Sequence, residues 1–184
     1  MSNHKLDNPK RIEELNPSDT LRRIGLKDSD AFCDVGAGTG IFTFEAAEQT
    51  KSDVYAVEIS HEMLDILQSK MQERNVKNII LKKSVQDVPS DSCRVVLLCT
   101  VLHELRDFEH VIGEVKRIIT NNGTLAIIEF HKRQTLMGPP VDSRMSPSQV
   151  EERLLQHGFY KTDYFELGEN FYGMIFSKSV TLGL

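Results

Sequence analysis

A chain of 184 residues has the length of one domain and can bury a full sheet-and-helix core. Its 40 % apolar and 27 % charged residues are ordinary for a globular sequence, and a net charge of −5 argues against a surface made for phosphate backbones. No apolar run is long enough to cross a bilayer, and "MSNHKLDNPK" lacks the apolar core of a signal peptide. A cytoplasmic protein with no membrane insertion and no nucleic-acid partner is therefore expected. Three cysteines, Cys33, Cys93 and Cys99, make an odd set, two of them within apolar runs, and read as buried structural thiols.

In chain order, residues 1–24 read as an N-terminal helical cap and 25–184 as the sheet core of a single domain. Strand-like runs fall at 31–35, 54–59, 78–82, 95–100 and 124–130, with helical patterns between them. That alternation specifies an α/β fold with a parallel sheet and crossover helices. One helix starts at Ser60 as N-cap, with Met63, Ile66, Leu67 and Met71 on its apolar stripe. A second carries Phe108, Val111, Ile112, Val115, Ile118 and Ile119 and is expected to end at Asn121-Asn122-Gly123. A third opens on Ser146, with Pro147 in its first turn and Gln149 completing a capping box, and stops at Gly158. Runs at 160–167 and 171–177, joined by Gly168-Glu169, read as an antiparallel hairpin, whereas a dinucleotide-binding sheet would add parallel strands.

The strongest local signal is Asp34-Val35-Gly36-Ala37-Gly38-Thr39-Gly40, between a strand and a helix. Glycines there let the backbone turn sharply and approach a ligand without Cβ interference. Glu58 closes the next strand. In a right-handed βαβ unit the two strand ends lie side by side, so loop and carboxylate line one crevice, where the acid can accept from both hydroxyls of a ribose. The third glycine comes one residue earlier than in the dinucleotide fingerprint, and the Gly-Lys-Ser/Thr ending of a triphosphate cradle is absent. Both departures point to a nucleoside ligand without a phosphate.

These residues, together with Asp87 in "SVQDVP" and the block "NNGTLAIIEF", resemble the ordered motifs of class I S-adenosylmethionine-dependent methyltransferases. The resemblance runs from Ala31 to Phe130 and more loosely to Ser177. It implies a Rossmann-like open sheet of seven strands in the order 3-2-1-4-5-7-6 with an antiparallel last strand, and S-adenosyl-L-methionine as cofactor. Under it, Gly36, Ala37, Gly38 and Gly40 would hold the methionine end, and Asp34 would anchor the loop near the ammonium group. Glu58 would take the ribose, Ile59 and Met63 would pack on the adenine, Asp87 and the Gln86 backbone would meet its edge, and Thr100 would complete the cleft. Met63 fits the core stripe of its helix equally well.

The acceptor side is sought at the ends of strands four and five, where His103 and Glu104, and then Glu129 and His131, close apolar runs. A general base, His103 or His131, oriented by a carboxylate such as Glu104 is expected there. These residues could also ligate a divalent ion, but no pair has the spacing of a dedicated site, so no metal is assigned. The chain lacks the motifs used on nucleobases, which favours a small-molecule substrate, and it is similar to the compact ubiquinone/menaquinone-biosynthesis type. Residues 132–144, with Leu136, Met137 and Val141, together with 6–15, are expected to form a lid over the cleft. Two alternatives stay open: a nicotinamide-dependent oxidoreductase, and a non-catalytic regulator that binds S-adenosylmethionine.

Overall fold

A computed structural model describes residues 6–135 and 137–178, so Leu136, one of the three apolar residues of the expected lid, lies outside the described residues. Two short helices, α1 (Pro9–Leu15) and α2 (Pro17–Arg23), precede the sheet. Then follow β1 (Phe32–Val35), α3 (Ile41–Gln49), β2 (Val54–Val57), α4 (His61–Glu73), β3 (Ile79–Lys82) and β4 (Cys93–Cys99). The chain continues through α5 (Phe108–Ile118), β5 (Ile119–Phe130), α6 (Pro147–Gln156), β6 (Phe159–Leu167) and β7 (Phe171–Lys178).

The seven strands order as β3-β2-β1-β4-β5-β7-β6, parallel except for β7, which runs antiparallel to both neighbours. This is the sheet that the family resemblance implies. The order reverses between β1 and β4, where the crossovers leave on opposite faces and open a crevice at the strand ends. Val35 pairs with both Val57 and Leu98, so the ends of β1, β2 and β4 converge on that crevice.

Side-chain alternation divides the core between the two faces. Cys33, Val35, Val96 and Leu98 join α5 and α6 on one side, through Ile112, Val115, Val150 and Leu154. Phe32, Val95, Leu97 and Cys99 join Leu15, Leu21, Phe42, Phe44 and Leu67 on the other. Coverage on both sides is why these strands read as near-continuous apolar runs.

The helix caps form as the sequence suggests. Ser60 accepts from the Met63 N–H, and Ser146 and Gln149 make a reciprocal capping box. One boundary differs. Asn121-Asn122-Gly123 does not end α5; β5 starts directly at Ile119 and these residues lie within it. Cys93 pairs with Ile119, but Val95 pairs with Thr124, so the extra residues of β5 bulge out between the two pairings. A Cβ on Gly123 would lie 2.5 Å from Ile119 Cγ1 and 2.9 Å from the Thr120 carbonyl oxygen. The glycine marks a bulge and not a helix terminus.

Candidate active site

The glycine loop is fixed to the sheet by its own backbone. The Gly36 and Ala37 N–H groups both donate to the Val57 carbonyl, at 2.8 and 3.0 Å. Gly36 has φ +78, and a Cβ there would sit 2.4 Å from a Val101 methyl, so loop and β4 tip are in contact. Gly38 (φ +54) is different: a Cβ would meet only the Leu6 side chain, at 3.4 Å. Its half-buried backbone is the lip of the cradle, and Gly40 passes the chain into α3 as N-cap.

Two carboxylates hold this loop. Glu58, 9 % exposed, accepts from Gly38 N–H at 2.8 Å through one oxygen and from Ser60 N–H at 2.9 Å through the other. Each oxygen keeps a lone pair for a further donor. Asp34 is buried in β1 and accepts 2.7 Å from the Thr43 hydroxyl on α3. Burial lifts its pKa from 3.8 to about 6; Thr43 opposes the rise, the nearby Glu58 charge adds to it, and Arg11 opposes it.

Beyond Glu58, Ile59 leaves the sheet 85 % exposed, a large apolar surface placed beside the crevice with nothing packed on it. Met63 is buried in α4, at 6 % exposure. Gln86 and Asp87 lie in a 3₁₀ turn after β3, both exposed, with the Gln86 side chain 2.8 Å from His110 Nε2. Thr100, at the tip of β4, has φ +57, a region that costs a β-branched residue about 1–3 kcal/mol. Its N–H donates to Ile128 O at 2.7 Å, and its hydroxyl accepts from Arg11 Nη2 at 3.1 Å.

The polar residues of strands four and five pair across the strands and not within each strand end. His103 Nδ1 lies 2.9 Å from Glu129 Oε2, while Glu129 Oε1 accepts from the Leu102 N–H at 2.8 Å. Glu129 is fully buried, and the His103 side chain is 4 % exposed. Glu104 stands farther off, 3.7 Å from His103 Nε2 and half exposed, so the orienting carboxylate is Glu129 and not Glu104. A carboxylate can only accept, which sets the Nδ1 proton toward Glu129 and leaves the lone pair on Nε2. His103 Nε2 is buried without a hydrogen-bond partner among the described residues. Burial works against the charged imidazole, but the hydrogen bond and charge of Glu129, with Glu104, outweigh it and raise the pKa above 6.5; the Arg144 charge opposes the rise. His103 thus sits three residues past a strained strand tip and within the turn that touches the glycine loop through Val101.

His131 has a different partner. Its Nε2 is 2.6 Å from Glu166 Oε2, and Glu166 accepts 2.5 Å from the Tyr164 hydroxyl, on the β6 side of the sheet. The structure therefore pairs His103 with Glu129 and His131 with Glu166. Among the described residues no three His, Cys, Asp or Glu side chains converge as a metal site would need. All three cysteines are buried and free, and burial pushes the Cys99 thiol up to about 12.

Three contributors carried no local signal. Glu166 faces His131 from 35 residues away. Arg144 is a buried hub: its guanidinium donates to the carbonyls of His131, Arg133, Met137 and Pro139 and to the Thr135 hydroxyl. These residues surround that side chain, with Met137 packed against the core cluster of Phe130 and Phe171. Arg11 reaches the crevice from α1.

Residues 33–127, just over half of the chain, match the family described as a methyltransferase domain. A demethylmenaquinone methyltransferase of Geobacillus sp. (strain WCH70) is 25 % identical over 125 residues, 65 % of this chain and 53 % of that one. A ubiquinone/menaquinone biosynthesis C-methyltransferase of Citrifermentans bemidjiense is 27 % identical over 116 residues, 60 % and 49 % of the two chains. The chain spans about half the length of these curated relatives. Among solved structures, a SAM dependent methyltransferase from Aquifex aeolicus superposes with a TM-score of 0.89 at 27 % identity, covering 95 % of each chain. The family match takes in the glycine loop, the carboxylate after β2 and the whole of β4, and the chain belongs to the methyltransferase-domain family.

Proposed function

We propose that the protein transfers a methyl group from S-adenosylmethionine to a small molecule bearing an ionisable O–H, with a hydroquinone or other phenol as the acceptor class. The cleft suits that cofactor: a glycine lip without side chains, a buried Asp34 that pairs with no cation at salt-bridge distance among the described residues, Glu58 with lone pairs to spare, and Ile59 uncovered. When bound, the cofactor supplies a methyl group already activated by its positive sulfur. Asp34 holds the ammonium end and Glu58 the ribose hydroxyls. Ile59 and the turn at Gln86 and Asp87 receive the adenine.

The observation that carries the acceptor reading is the orphaned Nε2 of His103, held in one tautomer by Glu129. Such a nitrogen removes a proton from an acceptor hydroxyl as the nucleophile attacks, and Glu129 stabilises the imidazolium that results. Quinone-type acceptors are favoured because the curated relatives are demethylmenaquinone and ubiquinone/menaquinone methyltransferases.

The test is S-adenosylhomocysteine formation from S-adenosylmethionine across a panel of hydroquinones and phenols. Turnover with at least one acceptor is expected, reduced about 10²- to 10⁴-fold in His103→Gln with cofactor affinity unchanged. Cofactor binding without product above background from any acceptor would favour a non-catalytic binder instead.

A further inference from the structure

The N-terminal helix bears on the same cleft. α1 is strapped at both ends to the elements flanking it. Before its start, Asp7 accepts 2.5 Å from the Thr39 hydroxyl in the glycine loop, and Lys70 of α4 donates to the Thr39 carbonyl at 2.9 Å and lies 3.7 Å from Asp7. At its end, Glu14 accepts from the backbone N–H of Asn170 at 3.1 Å and from its side-chain amide at 2.7 Å, in the β6–β7 turn. Between these anchors Arg11 points inward and is 9 % exposed.

Arg11 has a charge that the fold leaves unanswered. Its two hydrogen bonds go to neutral acceptors, the Leu6 carbonyl at 3.1 Å and the Thr100 hydroxyl at 3.1 Å. No carboxylate of the described residues lies at salt-bridge distance. A buried guanidinium ordinarily takes an anion, through a planar fork that matches a carboxylate. Its surroundings point to one. Arg11 is close enough to Asp34 to pull its pKa down, and the Leu6 side chain beside it covers the lip at Gly38. A free α-amino acid group is a zwitterion. Its ammonium needs an anion and its carboxylate a cation next to it, and Asp34 and Arg11 supply that pair within one crevice.

We infer that the Arg11 guanidinium binds the carboxylate of the cofactor's amino-acid end, so that α1 is part of the ligand's binding surface as well as the cover of the cleft. The inference rests on the cofactor reading above. It assigns a role to a helix that lies outside the segment matched by the family, and it makes cofactor exchange depend on release of the Asp7–Thr39–Lys70 latch.

Calorimetric titration with two ligands tests it. S-Adenosylhomocysteine carries the amino-acid end; 5′-methylthioadenosine keeps the adenine, ribose and thioether but lacks it. Arg11→Ala should weaken S-adenosylhomocysteine roughly 10- to 100-fold, the loss of a charge-assisted pair, and change 5′-methylthioadenosine by less than about threefold. Arg11→Lys should recover part of the loss. Equal weakening of both ligands would show that Arg11 only shapes the fold of the cover, and unchanged affinity for both would show that it does not meet the ligand; either result overturns the inference. Wild-type protein that binds 5′-methylthioadenosine no worse than S-adenosylhomocysteine also overturns it, while wild-type protein that binds neither removes the cofactor reading and Arg11's role together.

Discussion

At the glycine-loop end of the cleft the contacts are local: Gly38 and Glu58 are 20 residues apart, Asp34 and Thr43 nine, and all lie within one βαβ unit. At the end proposed for the acceptor they are not. His103 meets Glu129 across 26 residues, and His131 meets Glu166 across 35. The first region is specified by spacing, since backbone geometry alone carries the loop to the strand end beside it. The second exists only after β5 is laid against β4 and β7 against β5. A binding end fixed by local chain geometry can stay constant while an acceptor end, assembled from separate strand tips, is altered one side chain at a time.

That division can be broken most sharply at the lip of the loop. Gly38→Val should abolish measurable binding of S-adenosylhomocysteine while the fold survives with a modest drop in Tm. A Cβ there meets only the Leu6 side chain, at 3.4 Å, but occupies the surface where a ligand's backbone contacts form, and positive φ costs a β-branched residue about 1–3 kcal/mol. Gly36→Val, by contrast, collides with Val101 and should lower the Tm strongly. Normal binding in Gly38→Val would move the ligand away from the loop.

A second comparison uses charge. Glu129→Gln keeps an oxygen for the Leu102 N–H but offers an amide to His103 Nδ1, which forces the proton onto Nε2. Turnover should fall about as far as in His103→Gln, with the cofactor's Kd unmoved. A matching loss of cofactor affinity would show that the two ends are one unit.

The smallest effect is in pH. Asp34 has a folded pKa of about 6 against 3.8 unfolded. Because the shift is upward in an acid, the folded ligand-free protein takes up a proton between these values, and this group's contribution to stability falls as pH rises through 6. Ammonium binding needs the charged form, so affinity for S-adenosylhomocysteine should be flat above about pH 6 and weaken below it, approaching tenfold per unit. Asp34→Asn should remove that slope; a slope that persists assigns it to another group.

How much of this was legible in the sequence follows the same division. The three helices, the N-caps at Ser60 and Ser146 and the glycine loop with Glu58 were readable because each is a short-range pattern, whereas the sheet order followed only from the family resemblance. The bulge in β5 was not, because Asn121-Asn122-Gly123 has the composition of a helix stop and only the pairing with β4 shows otherwise. Adjacency in the sequence pairs Glu104 with His103, but the turn after β4 directs it outward and Glu129 takes its place. Met137, expected in a lid, is half-buried, packs against the Phe130 cluster and is tied through its carbonyl to Arg144, so Met137→Asp should lower the Tm as well as turnover. Arg11 could not be found at all, because its site depends on Thr100, 89 residues away.

The central claim is that a ligand-binding end and an acceptor end coexist in one cleft and act separately, and calorimetry of S-adenosylhomocysteine against Glu58→Ala and His103→Gln tests it most directly. Loss of the ribose contacts should cost Glu58→Ala about 2–3 kcal/mol, roughly 30- to 150-fold in Kd, while His103→Gln binds as the wild type does. Unchanged affinity in Glu58→Ala, or an equal loss in His103→Gln, would contradict the account.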